Sequence, residues 1–178
     1  YTVYTPPEDD TGVFHILEHT VLTGSKKYPV RDPFMALNRN SCNTFLNAMT
    51  APDRTDYPAA SPVKKDFDNI FSVYTDAVFD PLLRKEDFMQ EGIRLSSQGE
   101  LHFEGVVFSE MLGDVSSHES VVQSATTRPL YGEDSPYKYE FGGNPPAITD
   151  LTYEKFLETY HKYYVHANIT LFFYGDLD

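Results

Sequence analysis

Val63, Phe67, Ile70, Phe71, Tyr74, Ala77 and Val78 recur three and four residues apart. That is the period of a helix with one buried face, and it predicts a helix of about five turns over residues 62–79 that packs on a sheet. Residues 13–23 form an apolar segment that predicts a second helix, with Gly24 placed to end it. Asp32-Pro33 is a helix start, an acceptor cap followed by proline at the first helical position, with Phe34, Met35 and Leu37 as the apolar face. Further helices are predicted over residues 85–96, around Glu110 and over residues 153–164. Strands are predicted at residues 2–5, across the weak alternation of residues 40–50, as a strand or hairpin at residues 100–104, and in the apolar run 169–174 before Gly175. Strands at both ends with helices between them predict an α+β fold, a two-layer sandwich of a mainly antiparallel sheet packed against helices.

No internal repeat, low-complexity segment or linker interrupts residues 1–178, so a single domain is expected. Hydrophobic residues make up 40% of the chain and aromatics 15%, enough to build a core. No run approaches the length of a membrane-spanning helix, so membrane insertion is not expected. The first residues, Tyr1-Thr2-Val3-Tyr4, lack the basic and apolar regions of a secretory signal. The cytoplasm or an organellar matrix, rather than the secretory route, is the expected compartment. A formal charge of −13 disfavours nucleic-acid binding and suits a basic peptide as partner, or simply a solubilising surface. The lone Cys42 excludes an internal disulfide framework and leaves any metal to histidine and carboxylate ligands.

The candidate chemistry lies in His15-Ile16-Leu17-Glu18-His19, the inverted zinc-protease signature H-x-x-E-H. On a helix, positions i, i+3 and i+4 share a face, so both imidazoles can reach one zinc while Glu18 stands beside them. An isolated His pair at this spacing is more often structural; the carboxylate between them gives the pair its chemistry. A catalytic zinc needs a third protein ligand, and Glu86, Glu91, Glu100, Glu104, Glu110 and Glu119 are the downstream candidates. Glu110 fits best, because Val106, Val107, Phe108 and Met111 surround it with apolar neighbours. Leu22 follows His19 by three residues and shares the face of His15 and Glu18, where it could wall a side-chain pocket; Phe34 could form another wall. Core packing competes evenly with both roles. His102, His118, His161 and His166 show no ligand spacing and read as structural or solvent-facing.

Beyond this motif, Asn43-Thr44-Phe45-Leu46-Asn47-Ala48-Met49-Thr50, Asp53-Arg54-Thr55, Gly105 to Met111 and Tyr174-Gly175-Asp176 occur in an order that resembles the pitrilysin or insulinase-like (M16) metallopeptidases. The presequence-protease and falcilysin branch is the most similar, and the resemblance runs over nearly the whole chain. It implies the LuxS/MPP-like metallohydrolase fold, Zn2+ held by His15, His19 and Glu110, and Glu18 as the general base acting on a zinc-activated water. It also implies that Asn47 and Ala48 lie on an edge strand that takes up an oligopeptide substrate by strand addition. Asn38 stands where related enzymes often carry an apolar residue, which leaves the pocket lined by Leu22 and Phe34 less defined. The chain is expected to be most of the N-terminal catalytic domain of a larger four-domain enzyme, lacking strands before Thr2. The remaining domains would be its partners, and metal binding without efficient proteolysis is expected of it alone. A non-catalytic peptide-binding or scaffold domain of the same fold is the alternative, against which the intact Glu18 argues.

Overall fold

The computed structural model describes residues 1–97 and 99–176. Strand β1 (Thr2–Tyr4) leads through a proline-containing loop to helix α1 (Val13–Val21), then α2 (Pro33–Asn40) and four short strands: β2 (Phe45–Leu46), β3 (Met49–Thr50), β4 (Arg54–Asp56) and β5 (Ala59–Ala60). Helices α3 (Lys64–Phe79) and α4 (Lys85–Glu91) follow, then β6 (Arg94–Ser96), β7 (His102–Glu104), α5 (Val106–Asp114), α6 (His118–Tyr131), α7 (Pro145–Ile148), α8 (Tyr153–Tyr163) and β8 (Ile169–Thr170). Among the described residues the main sheet is antiparallel, in the order β3-β4-β1-β8, with two-stranded ladders β2-β5 and β6-β7 beside it. This is the mixed helix-and-sheet class that the sequence pattern predicts.

Alternation along β1 sets the faces. Val3 is buried opposite the buried Thr55, while Tyr4 points outward. Helix α1 lies against β3, β4, α4 and α8, and Val13, Phe14, Ile16, Leu17, Thr20 and Val21 are all buried. A helix buried on nearly all sides, polar residues included, belongs at the centre of a domain, and α1 occupies that place. Tyr160 of α8 donates to the carbonyl of Val78 in α3 at 2.9 Å, and Tyr57 and Tyr164 share a hydroxyl hydrogen bond of 2.7 Å. These bonds tie the two outer helices to each other and to the sheet. Asp32 caps α2 as expected, accepting from the amide of Met35 at 2.8 Å.

Three elements differ from the sequence expectation. The helix expected over residues 85–96 ends at Glu91, and Arg94 to Ser96 instead pair with His102 to Glu104. The cause is a close backbone crossing: a Cβ on Gly105 would stand 2.0 Å from the carbonyl oxygen of Gly92. Two glycines at the crossing let the chain leave the helix, and the Arg94–Glu104 ion pair at 2.8 Å spans the resulting hairpin. The strand expected over residues 40–50 is two short ones, because β2 pairs with β5 and β3 with β4, and Asn47-Ala48 bridge the two ladders. The closing strand is two residues long, since β1 offers partners only at Thr2 and Val3; Leu171 to Tyr174 run on unpaired, with Phe172 and Tyr174 largely exposed. Helix α6, which the pattern does not announce, has no buried residue.

Candidate metal centre

Helix α1 carries three of the candidate groups because its spacing stacks them, and its central position buries His15 and Glu18 and partly buries His19. His15 is 9% exposed and Glu18 8%. The two imidazole rings stand 5.1 Å apart at 73°, edge to face. Glu110 comes from α5, whose Val107 and Met111 are buried one turn apart and fix the helix on the core. The Gly92–Gly105 crossing sets the start of α5 against the end of α4, so Glu110 and Glu91 both arrive beside α1. Glu110 Oε2 lies 3.7 Å from His15 Nε2 and 3.8 Å from His19 Nε2. One donor atom from each of the three residues falls within 4.8 Å of the others.

The remaining ring nitrogens are engaged elsewhere. His15 Nδ1 lies 2.9 Å from the carbonyl oxygen of Gly142, which can only accept, so this nitrogen carries the proton and leaves the Nε2 lone pair facing Glu110. His19 Nδ1 lies 3.3 Å from Glu91 Oε2, a second acceptor on the side away from Glu110. Burial of the His19 ring opposes its protonation. The Glu91 hydrogen bond and the charges of Glu18 and Glu110 outweigh that penalty and hold its pKa above the ordinary value of 6.5. Glu18 is separately restrained: Thr50 of β3 donates its hydroxyl to Glu18 Oε2 at 2.7 Å.

These groups line one cavity of about 810 Å³. Leu22, Phe34, Asn47 and Ala48 line it as well, so the structure brings all the sequence-predicted site residues to a single place. Leu22 is nearly buried, Phe34 half-buried, and Asn38 exposed and outside the lining. Asn47 precedes β3, the outer strand of the sheet, and lies in no ladder itself. Its amide donates to Pro58 and its carbonyl accepts from Tyr74. Of the other carboxylates considered from sequence, Glu104 is occupied by Arg94 and His102, and only Glu91 joins the cavity. Sequence reasoning missed Thr50, Glu140 and Gly142. Thr50 lies in a motif already singled out, whereas Gly142 acts through its backbone and leaves no side-chain signal.

Comparison with known proteins gives a consistent result. A family model described as Insulinase (Peptidase family M16) matches residues 5–111. Presequence protease 1, chloroplastic/mitochondrial, of Arabidopsis thaliana is 46% identical over 179 residues, covering 98% of this chain and 16% of that protein. Protein HypA of Clostridium perfringens is 48% identical over 179 residues, covering 98% of this chain and 18% of that protein. The mitochondrial presequence protease of Eremothecium gossypii is 46% identical over 178 residues, with 97% and 18% covered. The chain therefore spans less than a fifth of the length of these relatives. Among solved structures, pitrilysin superposes with a TM-score of 0.68 at 22% identity, over 94% of this chain and 17% of that one. The periplasmic protease PqqL from Escherichia coli gives 0.63 at 16% identity, over 94% and 18%. At these identities the two superpositions speak for the fold alone.

Proposed function

The chain belongs to peptidase family M16, the insulinase family, and from that premise we propose that residues 1–178 form the zinc-bearing catalytic domain of a metalloendopeptidase that hydrolyses unstructured oligopeptides. The observation that carries this reading is the convergence of His15 Nε2, His19 Nε2 and a Glu110 carboxylate oxygen within 4.8 Å, with both Nδ1 atoms engaged by other acceptors. Two neutral imidazole nitrogens and one carboxylate are a donor set suited to catalytic zinc, so the residues present fit the metal. When bound there, zinc supplies a Lewis acid that polarises a scissile carbonyl and lowers the pKa of water.

The chain's own residues supply the rest. Glu18 is the proton carrier: its carboxylate accepts a proton from the attacking water and hands it to the leaving amine nitrogen. Thr50 holds Glu18 Oε2 and so limits how the carboxylate can turn. Leu22 and Phe34 offer apolar walls to a substrate side chain, and the outer edge of β3, with Ala48 beside it, offers backbone groups to an extended peptide, while Asn47, whose amide and carbonyl are engaged by Pro58 and Tyr74, shapes the cavity wall next to it. Backbone-led binding of this kind gives affinity with little sequence preference. The relatives named presequence proteases support a peptide substrate, and their mitochondrial and chloroplast labels support an organellar matrix or the cytoplasm as the compartment. Since the chain matches less than a fifth of their length, the remaining domains of such an enzyme are proposed as its partners. Glu110 has a side chain 56% exposed, and a site this open to water hydrolyses peptides poorly on its own.

The test begins with zinc content after dialysis, for this chain and for His19→Ala. Near-stoichiometric metal in the parent and its loss in the variant supports the centre; a parent that takes up no zinc even when it is added back removes the metal from the proposal. In the full-length protein, Glu18→Gln should keep zinc and lose cleavage of an unstructured peptide. A zinc-loaded full-length protein with Glu18 intact that cleaves nothing would leave the non-catalytic scaffold as the better reading.

A further inference from the structure

We propose that Asp10 is a positioning residue for His15, acting through the carbonyl of Gly142; the inference rests on the metal centre proposed above. Asp10 lies in the loop before α1, five residues ahead of His15. Its carboxylate Oδ1 accepts from the amide of Glu140 at 2.8 Å, and its own backbone carbonyl accepts from the amide of Asn144 at 2.8 Å. One residue thus holds both ends of segment 140–144, within which the amide of Gly143 donates to the carbonyl of Glu140 at 3.0 Å. Gly142, the residue whose carbonyl faces His15 Nδ1, sits in the middle of that held segment. The other Asp10 oxygen pairs with Arg128 of α6, which restrains the carboxylate from outside.

Packing shows that the two loops are fitted to each other. Gly12 adopts φ 64°, and a Cβ there would stand 2.6 Å from both the Gly142 oxygen and the Gly143 Cα. A Cβ on Gly142 would in turn meet the Met111 side chain at 2.9 Å, one residue beyond Glu110. The segment is therefore enclosed by the start of α1 on one side and α5 on the other. Asp10 supplies the polar anchorage that sets how far its carbonyl reaches toward His15. A carbonyl held there keeps the proton on Nδ1 and the lone pair on Nε2, the arrangement that a metal ligand needs. If the segment drifts, His15 can redistribute its proton between the two nitrogens and part of the population cannot ligate.

The deciding experiment reads the His15 tautomer directly, from the ring-nitrogen NMR signals of the metal-free protein, beside zinc affinity by competition with a chromophoric chelator. Asp10→Ala is expected to convert His15 from the Nδ1-protonated form to a mixture and to weaken zinc binding about tenfold or more, the usual effect of losing an outer support. Asp10→Asn, which keeps an acceptor for the Glu140 amide and gives up only the ion pair with Arg128, should retain the parent tautomer. Should Asp10→Ala not fold, Asp10→Glu keeps the charge but moves the acceptor by a methylene and carries the same expectation. An unchanged tautomer in the Ala variant, or in the Glu variant where that replaces it, overturns the proposal. Failure of the parent to bind zinc would instead overturn the metal reading, and the tautomer measurement would still decide the role of Asp10.

Discussion

Two carboxylates stand beside the histidines, and exchanging each for its amide separates a ligand from a support. Tetrahedral zinc with bonds of about 2.0–2.1 Å sets its ligand atoms about 3.3–3.4 Å apart. Glu110 Oε2 lies 3.7 and 3.8 Å from the two Nε2 atoms, so a contraction of roughly 0.3–0.5 Å would complete those two edges. Its side chain is 56% exposed and free to make that move. Glu91 Oε2 faces His19 from the other side of the ring, at Nδ1, and orients it without sharing the Nε2 position. Glu110→Gln would replace the proposed charged ligand by a weak neutral one and is expected to reduce zinc affinity by more than about 100-fold, some 2.7 kcal/mol. Glu91→Gln is expected to cost about tenfold, near 1.4 kcal/mol, as removal of an outer support does. Chelator competition on both variants measures the difference. Thermal unfolding of the metal-free proteins checks the fold, with Glu110→Gln within about 0.5 kcal/mol of the parent because the group is exposed. Parent-like zinc affinity in Glu110→Gln, or a larger loss in Glu91→Gln, would refute the assignment of ligand and support.

Gly105→Ala should destabilise the protein by about 1–3 kcal/mol in urea unfolding, because its Cβ would overlap the Gly92 carbonyl at 2.0 Å. By displacing α5 it should also weaken zinc binding; parent stability would show that the crossing is loose. In the buried hydroxyl pair at 2.7 Å, Tyr164→Phe removes the partner of the Tyr57 hydroxyl and should cost about 1–3 kcal/mol. Tyr57→Phe should cost less, because the Tyr164 hydroxyl also interacts with Thr55. Equal losses in denaturant unfolding would contradict that asymmetry. Burial, with the nearby Asp114 and Asp10 charges, raises the Glu140 pKa from its ordinary 4.5 against the hydrogen bonds from Ser124 and Gly142. A carboxyl group with a raised folded-state pKa loses stability as pH rises from its unfolded value through the folded one. Glu140→Gln should therefore unfold at a higher temperature than the parent at neutral pH and converge with it below pH about 4.5; a gap that persists in acid would argue against this cause.

Where an element's stability is written in its own neighbours, the sequence reads it well. The Asp32-Pro33 cap, the apolar stripe of α3 and the apolar segment of α1 were legible because capping and periodicity act over a few residues. The failures have long-range causes. Nothing local to Arg94-Leu95-Ser96 says that the chain has just crossed Gly105, so the helix expected from sequence runs past the one observed, which ends at Glu91. The run 169–174 is apolar enough for a strand, but a strand needs a partner, and β1 provides one for Ile169 and Thr170 only. Helix α6 buries no residue, so there was no stripe to find; it is held by Ser117 at its cap and by side chains such as Arg128 reaching Asp10.

The candidate site divides along the same line. His15, Glu18 and His19 were legible because one helix places them together, and Leu22 because it is the next step on that face. In sequence, Glu110 stands out among the carboxylates by its apolar neighbours. Val107 and Met111 are buried, yet Glu110 itself is the more exposed of the two carboxylates, 56% against 13% for Glu91. Seclusion from water would have selected Glu91. What distinguishes them is which imidazole nitrogen each one faces, and that depends on where the Gly92–Gly105 crossing sets α5 against α4, a relation between backbones with no side-chain signature. The Gly142 carbonyl is more hidden still, since any residue has a carbonyl and only the packing of Gly12 against segment 140–144 brings this one to His15. A sequence motif can therefore name groups suited to a metal, while the choice of which nitrogen or oxygen each one turns toward the others is made by contacts that bring distant stretches of backbone together.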